Sequence, residues 1–211
     1  MTWHAKLRYG YNLGSTEADD NAKALYDVVS SYGFTYTAAA SILGNMQHES
    51  GLNPWRWQGD TVSLTASDKG YGLVQFTPAY GYIGGYGVGL QGYAPSTSVD
   101  VITGNTSDAI AQSICIAQDT AGKYFIRTWA PSQFKISWNE FKSLDPTELY
   151  KGAGAWLYNY ESPTEPSSKL AERYNSAAHY YELLSGYTPG PSPVGGTLPI
   201  WLIKMIRDKN F

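Results

Sequence analysis

The sequence has 211 residues, of which 43% are apolar and 16% charged, and its formal net charge is −3. These values are typical of a globular chain long enough to form one full core. No apolar run reaches the roughly 18 residues that would predict a membrane span. Because 15 basic residues are mixed with 18 acidic ones, no basic stripe is present and nucleic acid is not expected as a partner.

Cysteine and aromatic usage narrow the class of protein further. The single cysteine, Cys115, excludes an internal disulfide framework. Aromatic residues reach 15%, with 18 Tyr and 7 Trp, and such side chains combine an apolar face with a polar tip. Such side chains suit the binding of sugar rings. They also fill protein cores and are frequent in purely structural assembly proteins, so composition alone does not distinguish a sugar-binding protein from a structural one.

Two helices are predicted near the start of the chain. Apolar residues recur at helical spacing over 17–31, before Gly33. A second apolar stripe covers 37–50, and Gly51 is expected to end that helix as a left-handed cap.

The middle of the chain has a different pattern. Over 55–76, apolar and polar residues alternate around a turn-rich centre, which predicts a small antiparallel hairpin or sheet. The segment 78–106 is rich in glycine and tyrosine and is predicted to be a long loop.

Helical patterns resume at 107–121, 146–160 and 168–185, the last ending at Gly186. We therefore predict a predominantly helical α+β fold with one domain over 1–187. A linker rich in Pro and Gly follows at 188–197. The last segment, 198–211, is a short apolar and basic tail that could dock onto a partner protein or pack back onto the domain.

The position of Glu49 is unfavourable for an ionised carboxylate. Continuing the stripe of the second helix from Ile42 through Met46 leads to Glu49, on the side that faces the core. The same residue lies in the last helical turn, where the helix dipole disfavours an anion. Both effects favour the neutral acid and should raise the pKa of Glu49, as a group that protonates a glycosidic oxygen requires. The alternative is a solvated residue at a helix end.

Two motifs in this order resemble a known family. The sequence AASILGNMQHESGLNP over 39–54, followed by GYGLVQFT over 70–77, is similar to the phage tail lysozymes. That group is related to goose-type lysozymes and lytic transglycosylases. The resemblance implies that Glu49 is the catalytic acid, and that Tyr71 and Gln75 belong to a segment lining the glycan cleft.

A third stretch, AWLYNYESP over 155–163, resembles a less specific family segment in which a helix ends in an aromatic residue and a Glu. By this resemblance Asn159, Tyr160 and Glu161 face the sugar cleft. The alternative is an ordinary helix end with a packed aromatic side chain and a proline stop.

Hydrolysis of a glycosidic bond usually needs a second carboxylate. Asp68, just before the second motif, matches an acidic position of goose-type lysozymes, and Asp60 is the other candidate. A plain turn role for Asp68 is equally compatible with the sequence. If neither serves, Glu49 alone could act in a lytic transglycosylase, first giving a proton and then removing one from a sugar hydroxyl.

Other activities are less compatible with the pattern. A cysteine peptidase using Cys115 and His179 conflicts with the apolar helical surroundings of Cys115. The three histidines, His4, His48 and His179, have no metal-ligand spacing, so no metal or cofactor is expected. A non-catalytic protein of the phage tail or of wall binding stays open as an alternative.

The resemblance implies a glycosidase that cleaves the MurNAc-GlcNAc backbone of peptidoglycan. The acidic residues Glu17, Asp19 and Asp20 lie where a secretion signal would need an apolar run. We therefore expect an enzyme carried in the virion tail or released at host lysis. Its expected partners are peptidoglycan strands and, through 198–211, phage tail proteins.

Overall fold

The computed structural model describes residues 2–6, 12–60, 69–77, 79, 101–104, 106–118, 125, 129–161 and 163–191. Within these residues the chain forms six α-helices and one two-stranded antiparallel sheet, which confirms the predicted α+β, mainly helical class. The elements in chain order are β1 (Trp3–Lys6), α1 (Ser15–Ser30), α2 (Tyr36–Glu49), β2 (Val101–Gly104), α3 (Ser107–Ala117), α4 (Trp138–Lys142), α5 (Leu149–Trp156) and α6 (Pro166–Ser185).

The helices predicted at 17–31, 37–50 and 168–185 are present, with ends within two residues of those expected. Their caps explain the agreement. The Thr35 hydroxyl accepts a hydrogen bond from the Ala38 N–H at the start of α2. Gly33 has a φ of 86° just after α1, as expected for a helix end.

Helix α2 lies at the centre of the domain and is buried on all sides from Thr37 to Met46. It packs most extensively against α6 and then α5. Small residues allow this packing. A Cβ at Gly44 would lie only 2.5 Å from the Ala177 nitrogen and the Arg173 carbonyl oxygen, so the backbones of α2 and α6 touch at this point.

The region predicted as one helix over 146–160 has three parts. A 3₁₀ turn, Pro146–Glu148, leads into α5, and α5 continues as a π-helical turn, Leu157–Glu161. The Asn45 amide of α2 donates to the Ala153 carbonyl oxygen at 3.2 Å. This contact fixes α5, and hence the π turn, against α2.

The sheet lies elsewhere than predicted. Strand β1 pairs with β2 in antiparallel register, with Trp3 opposite Gly104 and Lys6 opposite Val101. The segment predicted as a loop over 78–106 therefore ends in a strand. The partners are about a hundred residues apart in sequence, beyond what a local pattern can indicate. In the predicted hairpin over 55–76, the described residues form two single bridges, Trp57 with Tyr71 and Tyr71 with Phe76; residues 61–68 lie outside the described part of the chain.

Helix α4 was not predicted, although its start carries a clear signal. Ser137 and Glu140 form a capping box, in which each side chain binds the backbone N–H of the other residue. Its apolar residues join a cluster of aromatic rings in the core with edge-on and tilted contacts, formed by Phe34, Phe125, Trp138, Phe141 and Trp156.

The predicted linker begins in contact with the domain. The Tyr187 hydroxyl and the Gly190 N–H both donate to the buried Asp27 carboxylate, at 3.0 and 2.7 Å. Residues 192–211, which include most of the linker and the whole predicted tail, lie outside the described residues, so the division at 187 stays a prediction. Among the described helices, none combines the length and apolarity needed to cross a bilayer.

The substitution Gly44→Ala tests the contact between α2 and α6. Its Cβ would meet backbone atoms that cannot move independently of their helices, so we expect the free energy of unfolding to fall by about 1–3 kcal/mol. Urea denaturation monitored by circular dichroism measures this loss. Gly186→Ala is the control, because its Cβ would have nothing within 4 Å in the described chain. Equal stability of both variants would contradict the close contact.

Candidate active site

Glu49 is the last residue of α2, and the chain turns sharply after it. Ser50 caps the helix, and Gly51, with a φ of 61°, donates its N–H to the Gln47 carbonyl oxygen at 3.2 Å. This is the predicted left-handed cap. Leu52 is also left-handed, with a φ of 57°, and its carbonyl oxygen accepts a hydrogen bond from the buried Asn21 amide. The turn fixes Glu49 at the edge of the core, with 26% of its side chain exposed.

Two further charged residues lie against Glu49. The Arg173 guanidinium, from α6, donates through Nη2 to Glu49 Oε1 at 2.6 Å. The same nitrogen lies 3.6 Å from Glu161 Oε2, at the end of the π turn. The side chains of Arg173 and Glu161 are each only 5% exposed. We call these three residues the carboxyl–arginine cluster.

Sequence reasoning missed Arg173, although a signal exists. It follows Leu170 by three residues and precedes Ala177 by four, so it occupies the buried stripe of α6. An arginine in such a stripe needs a partner, because an unpaired buried charge is costly.

Burial dominates the electrostatics of the cluster. It raises the pKa of Glu49 above its ordinary value, against smaller opposing effects from a hydrogen-bond contact with Glu161 and from the charge of Lys169. Burial, followed by the negative charge of Glu49, raises the pKa of Glu161 well above its usual range. Burial also lowers the pKa of Arg173 to about 10, so Arg173 still carries its charge at neutral pH. The cluster therefore favours a proton on its carboxyls.

The second motif is bound directly to the end of α2. The Ser50 hydroxyl donates to the Leu73 carbonyl oxygen at 2.8 Å, and the Leu73 N–H donates to Gln112 Oε1 at 2.7 Å. Gly72 takes a φ of 82°, and a Cβ there would collide with the Gln112 amide. The segment after 70 is thus fixed between α2 and α3, one residue away from Glu49.

Tyr71 and Gln75 have different positions in this segment. Tyr71 is fully buried, and its hydroxyl donates to Asp108 Oδ2 at 2.8 Å. Its side chain therefore anchors the segment from inside and does not face a cleft. Gln75 is half-buried in a left-handed conformation, with a φ of 49°. Its amide donates to the carbonyl oxygens of Gly72 and Arg56, at 2.9 and 3.2 Å.

The predicted site residues of the third motif also differ in their surroundings. Asn159 is fully buried and donates to the carbonyl oxygens of Phe134 and Ala155, both at 2.8 Å. It holds the π turn in place and presents no amide to solvent, in contrast to the expected cleft contact. Tyr160 is half-buried and stacks on Trp156, with ring centroids 4.0 Å apart. Glu161 belongs to the carboxyl–arginine cluster. Of the predicted site residues, the structure brings Glu49 and Glu161 together.

Comparison with known proteins shows the family of this chain. Residues 20–184 match the model of a family described as phage tail lysozyme. This chain belongs to the phage tail lysozyme family. The family match confirms the resemblance found in the sequence and shows a phage lysozyme-like protein.

A curated relative is also a phage protein. Morphogenesis protein 1 of Bacillus phage B103 is 39% identical over 71 residues, which are 34% of this chain and 19% of the relative. The chain thus spans only a small part of that relative's length.

The predicted second carboxylates of this phage lysozyme-like chain stay predictions. Asp68 lies outside the described residues, and Asp60 ends a short 3₁₀ turn, Gln58–Asp60. Of the two residues of the cysteine-peptidase alternative, His179 lies with Nε2 2.9 Å from Asp19 Oδ1, and Cys115 is half-buried in α3. In the described part of the chain, no three His, Cys, Asp or Glu side chains are grouped to hold a metal ion.

The substitution Tyr71→Phe tests the internal anchor of the second motif. Removal of the hydroxyl takes one donor from the buried Asp108 carboxylate, so we expect a loss of about 1–3 kcal/mol in the free energy of unfolding. Thermal denaturation of this lysozyme-family chain checks the effect. Tyr150→Phe serves as the control, because Tyr150 is 48% exposed and should lose almost nothing. The anchor role would be refuted if both variants melted like the wild type.

Proposed function

We propose that this protein cleaves the MurNAc-GlcNAc backbone of bacterial peptidoglycan, with Glu49 as the general acid. The observation that supports this proposal most is the state of Glu49, a partly exposed carboxyl with a raised pKa at the junction of two family motifs. A proton donor for a glycosidic oxygen must be neutral near the working pH and reachable by substrate. The raised pKa of Glu49 favours its neutral form, and the exposed part of its side chain can be reached by substrate.

In the proposed reaction Glu49 gives its proton to the oxygen that leaves the sugar carbon. The C–O bond breaks, and its electron pair stays on that oxygen. Positive charge then develops at the sugar carbon, while Glu49 becomes negative. Arg173, 2.6 Å from Glu49 Oε1, stabilises this new negative charge. The proposed contacts to the glycan are two half-buried residues, Gln75 in the second motif and Tyr160 next to Glu161 in the third.

The position of Glu161 bears on the step after protonation. Glu161 lies near the same guanidinium nitrogen as Glu49. It is therefore beside the acid, and not on the opposite side of the glycosidic bond to be cleaved. A water-activating carboxylate acts from the opposite side of the sugar. Asp68 is the proposed residue for this role, with Asp60 as the alternative. Without either, the single acid suits a lytic transglycosylase, in which a sugar hydroxyl attacks in place of water.

We further propose a role in the virion tail, where the enzyme opens the host wall during entry. The support is the family and the name of the relative, a phage morphogenesis protein. Mass spectrometry of purified particles tests this localisation. Absence of the protein from purified particles would count against a virion role.

A co-purification experiment with and without residues 198–211 tests whether the C-terminal tail binds other tail proteins. Unchanged co-purification after removal of residues 198–211 would count against binding through the C-terminal tail.

The substitution Glu49→Gln tests the acid. Gln keeps the shape but has no proton to give, so we expect at least a 100-fold loss, roughly the contribution of a general acid, in the clearing of cell-wall suspensions. Sedimentation with the wall should be unchanged. Glu182→Gln, an exposed carboxyl on α6, is the matched control and should keep full activity. Wild-type lysis by the Glu49 variant would overturn the proposal, and absence of lysis by the wild type would favour a non-catalytic wall-binding protein.

The pH dependence has a defined sign. Because the folded pKa of Glu49 is raised, the carboxyl keeps its proton at a higher pH than a free Glu does. The lytic rate should be high below that folded pKa and should fall as the pH rises through it. This fall is the alkaline limb of the pH profile, and it is measured by initial rates of turbidity loss in buffers of constant ionic strength. A rate that is already lost at the ordinary pKa of Glu would contradict the assignment.

The products separate the two mechanisms. Hydrolysis leaves reducing ends on the released muropeptides, whereas transglycosylation leaves anhydro ends. Mass analysis of the digest distinguishes them by one water. Substitution of Asp68 by Asn should abolish only the hydrolytic product, if Asp68 activates water, and should leave an anhydro product unaffected.

A further inference from the structure

The carboxyl–arginine cluster has an unequal charge balance. One guanidinium nitrogen of Arg173 lies 2.6 Å from Glu49 and 3.6 Å from Glu161. Two ionised carboxyls and one guanidinium would leave a net negative charge in a place where two of the three side chains are only 5% exposed. Two carboxylates that share one site do not ionise together readily. The pair therefore holds one proton over a pH range in which an isolated Glu has none.

The surrounding charges do not remove this imbalance. From α6, Lys169 acts on both carboxyls, but its side chain is exposed, so solvent screens its charge. Also on the α6 side, Glu172 is 71% exposed and faces His48 of α2 at 3.9 Å. His48 in turn lies 3.0 Å from the Ser176 hydroxyl. These groups lie at the surface, and of the cations in the described part of the chain only Arg173 is in direct contact with the buried side of the two carboxyls.

The two carboxyls are not equivalent. Glu49 is 26% exposed and has a short bond to Arg173, so its ionised form is stabilised more than that of Glu161. Glu161 is buried, and among the described residues neither of its oxygens has a hydrogen-bond partner of standard geometry, only weaker contacts with the Glu49 carboxyl and Trp156. Burial with so few partners favours the neutral acid over the ion. The resting proton therefore belongs on Glu161.

We propose that Glu161 is a positioning residue that stores the proton of the pair and supplies it to Glu49. This inference rests on the proposed glycosidase function. Before cleavage, the proton moves from the Glu161 carboxyl to the Glu49 carboxylate, so that Glu161 becomes the ion. Glu49 then gives the proton to the leaving oxygen. The attacking water or sugar hydroxyl loses its own proton to the pair, which restores the starting state. Glu161 itself touches no reacting atom.

The substitution Glu161→Gln separates this role from a purely structural one. Gln fills the same space, but it removes the second carboxyl and leaves Glu49 under the influence of Arg173 alone. The alkaline limb of the pH profile of lysis should move to lower pH by about 1–3 units, the usual effect of one neighbouring charge. Glu172→Gln, the exposed carboxyl next to Arg173, is the matched control and should leave the limb in place. A uniform loss of rate at every pH, with an unmoved limb, would overturn the proposal.

Two further measurements extend the test, and the second does not depend on lysis. Arg173→Gln removes the cation, so it should move the limb in the opposite direction, to higher pH. Titration of ¹³C-labelled Glu side chains by NMR should show two coupled steps for the wild-type pair and one step in Glu161→Gln. Independent single steps in the wild type would refute the shared proton, even if lysis depends on Glu49. Coupled steps in a wild type without lysis would instead refute the proposed function and leave the shared proton intact.

Discussion

The backbone contact between α2 and α6 at Gly44 is the constraint on which the site depends. Because no side chain separates the two helices there, Arg173 and Ala177 lie directly against α2. The Arg173 side chain then reaches Glu49 at 2.6 Å, at the exposed end of the same helix. A larger residue at position 44 would move α6 outward and lengthen this bond. Close packing and the electrostatics of Glu49 thus have a common cause.

The π turn completes this arrangement from the third side. A wider turn at the end of α5 changes the direction of the last residues, and such turns occur often at functional sites. Here it brings Glu161 to the guanidinium that already binds Glu49, while Asn159 fixes the turn to the Phe134 carbonyl oxygen. Each of three packed segments contributes one charged side chain. Burial of these charges costs free energy, so the cluster is better explained by function than by stability.

The sequence predicted those parts of the fold that have local signals. Glu49, the cap at Gly51 and three long helices follow from spacing and caps within one segment. The pairing of β1 with β2 has no local signal, because the partners meet only after the helices have packed. Asn159 and Tyr71 were predicted to face a cleft, since a motif gives the position of a side chain but not its direction. Arg173 was missed because its partners come from two distant segments.

If Glu49 is the general acid that we propose, its surroundings have opposite effects on its two states, and this is a chemical advantage. Before proton transfer the acid must be neutral, and burial favours that state. After transfer it is negative, and Arg173 favours that state through a bond already formed in the resting protein. Both effects come from helix packing, so neither requires reorganisation during the reaction. Burial without the arginine would hold the proton too tightly, and the arginine without burial would release it too early.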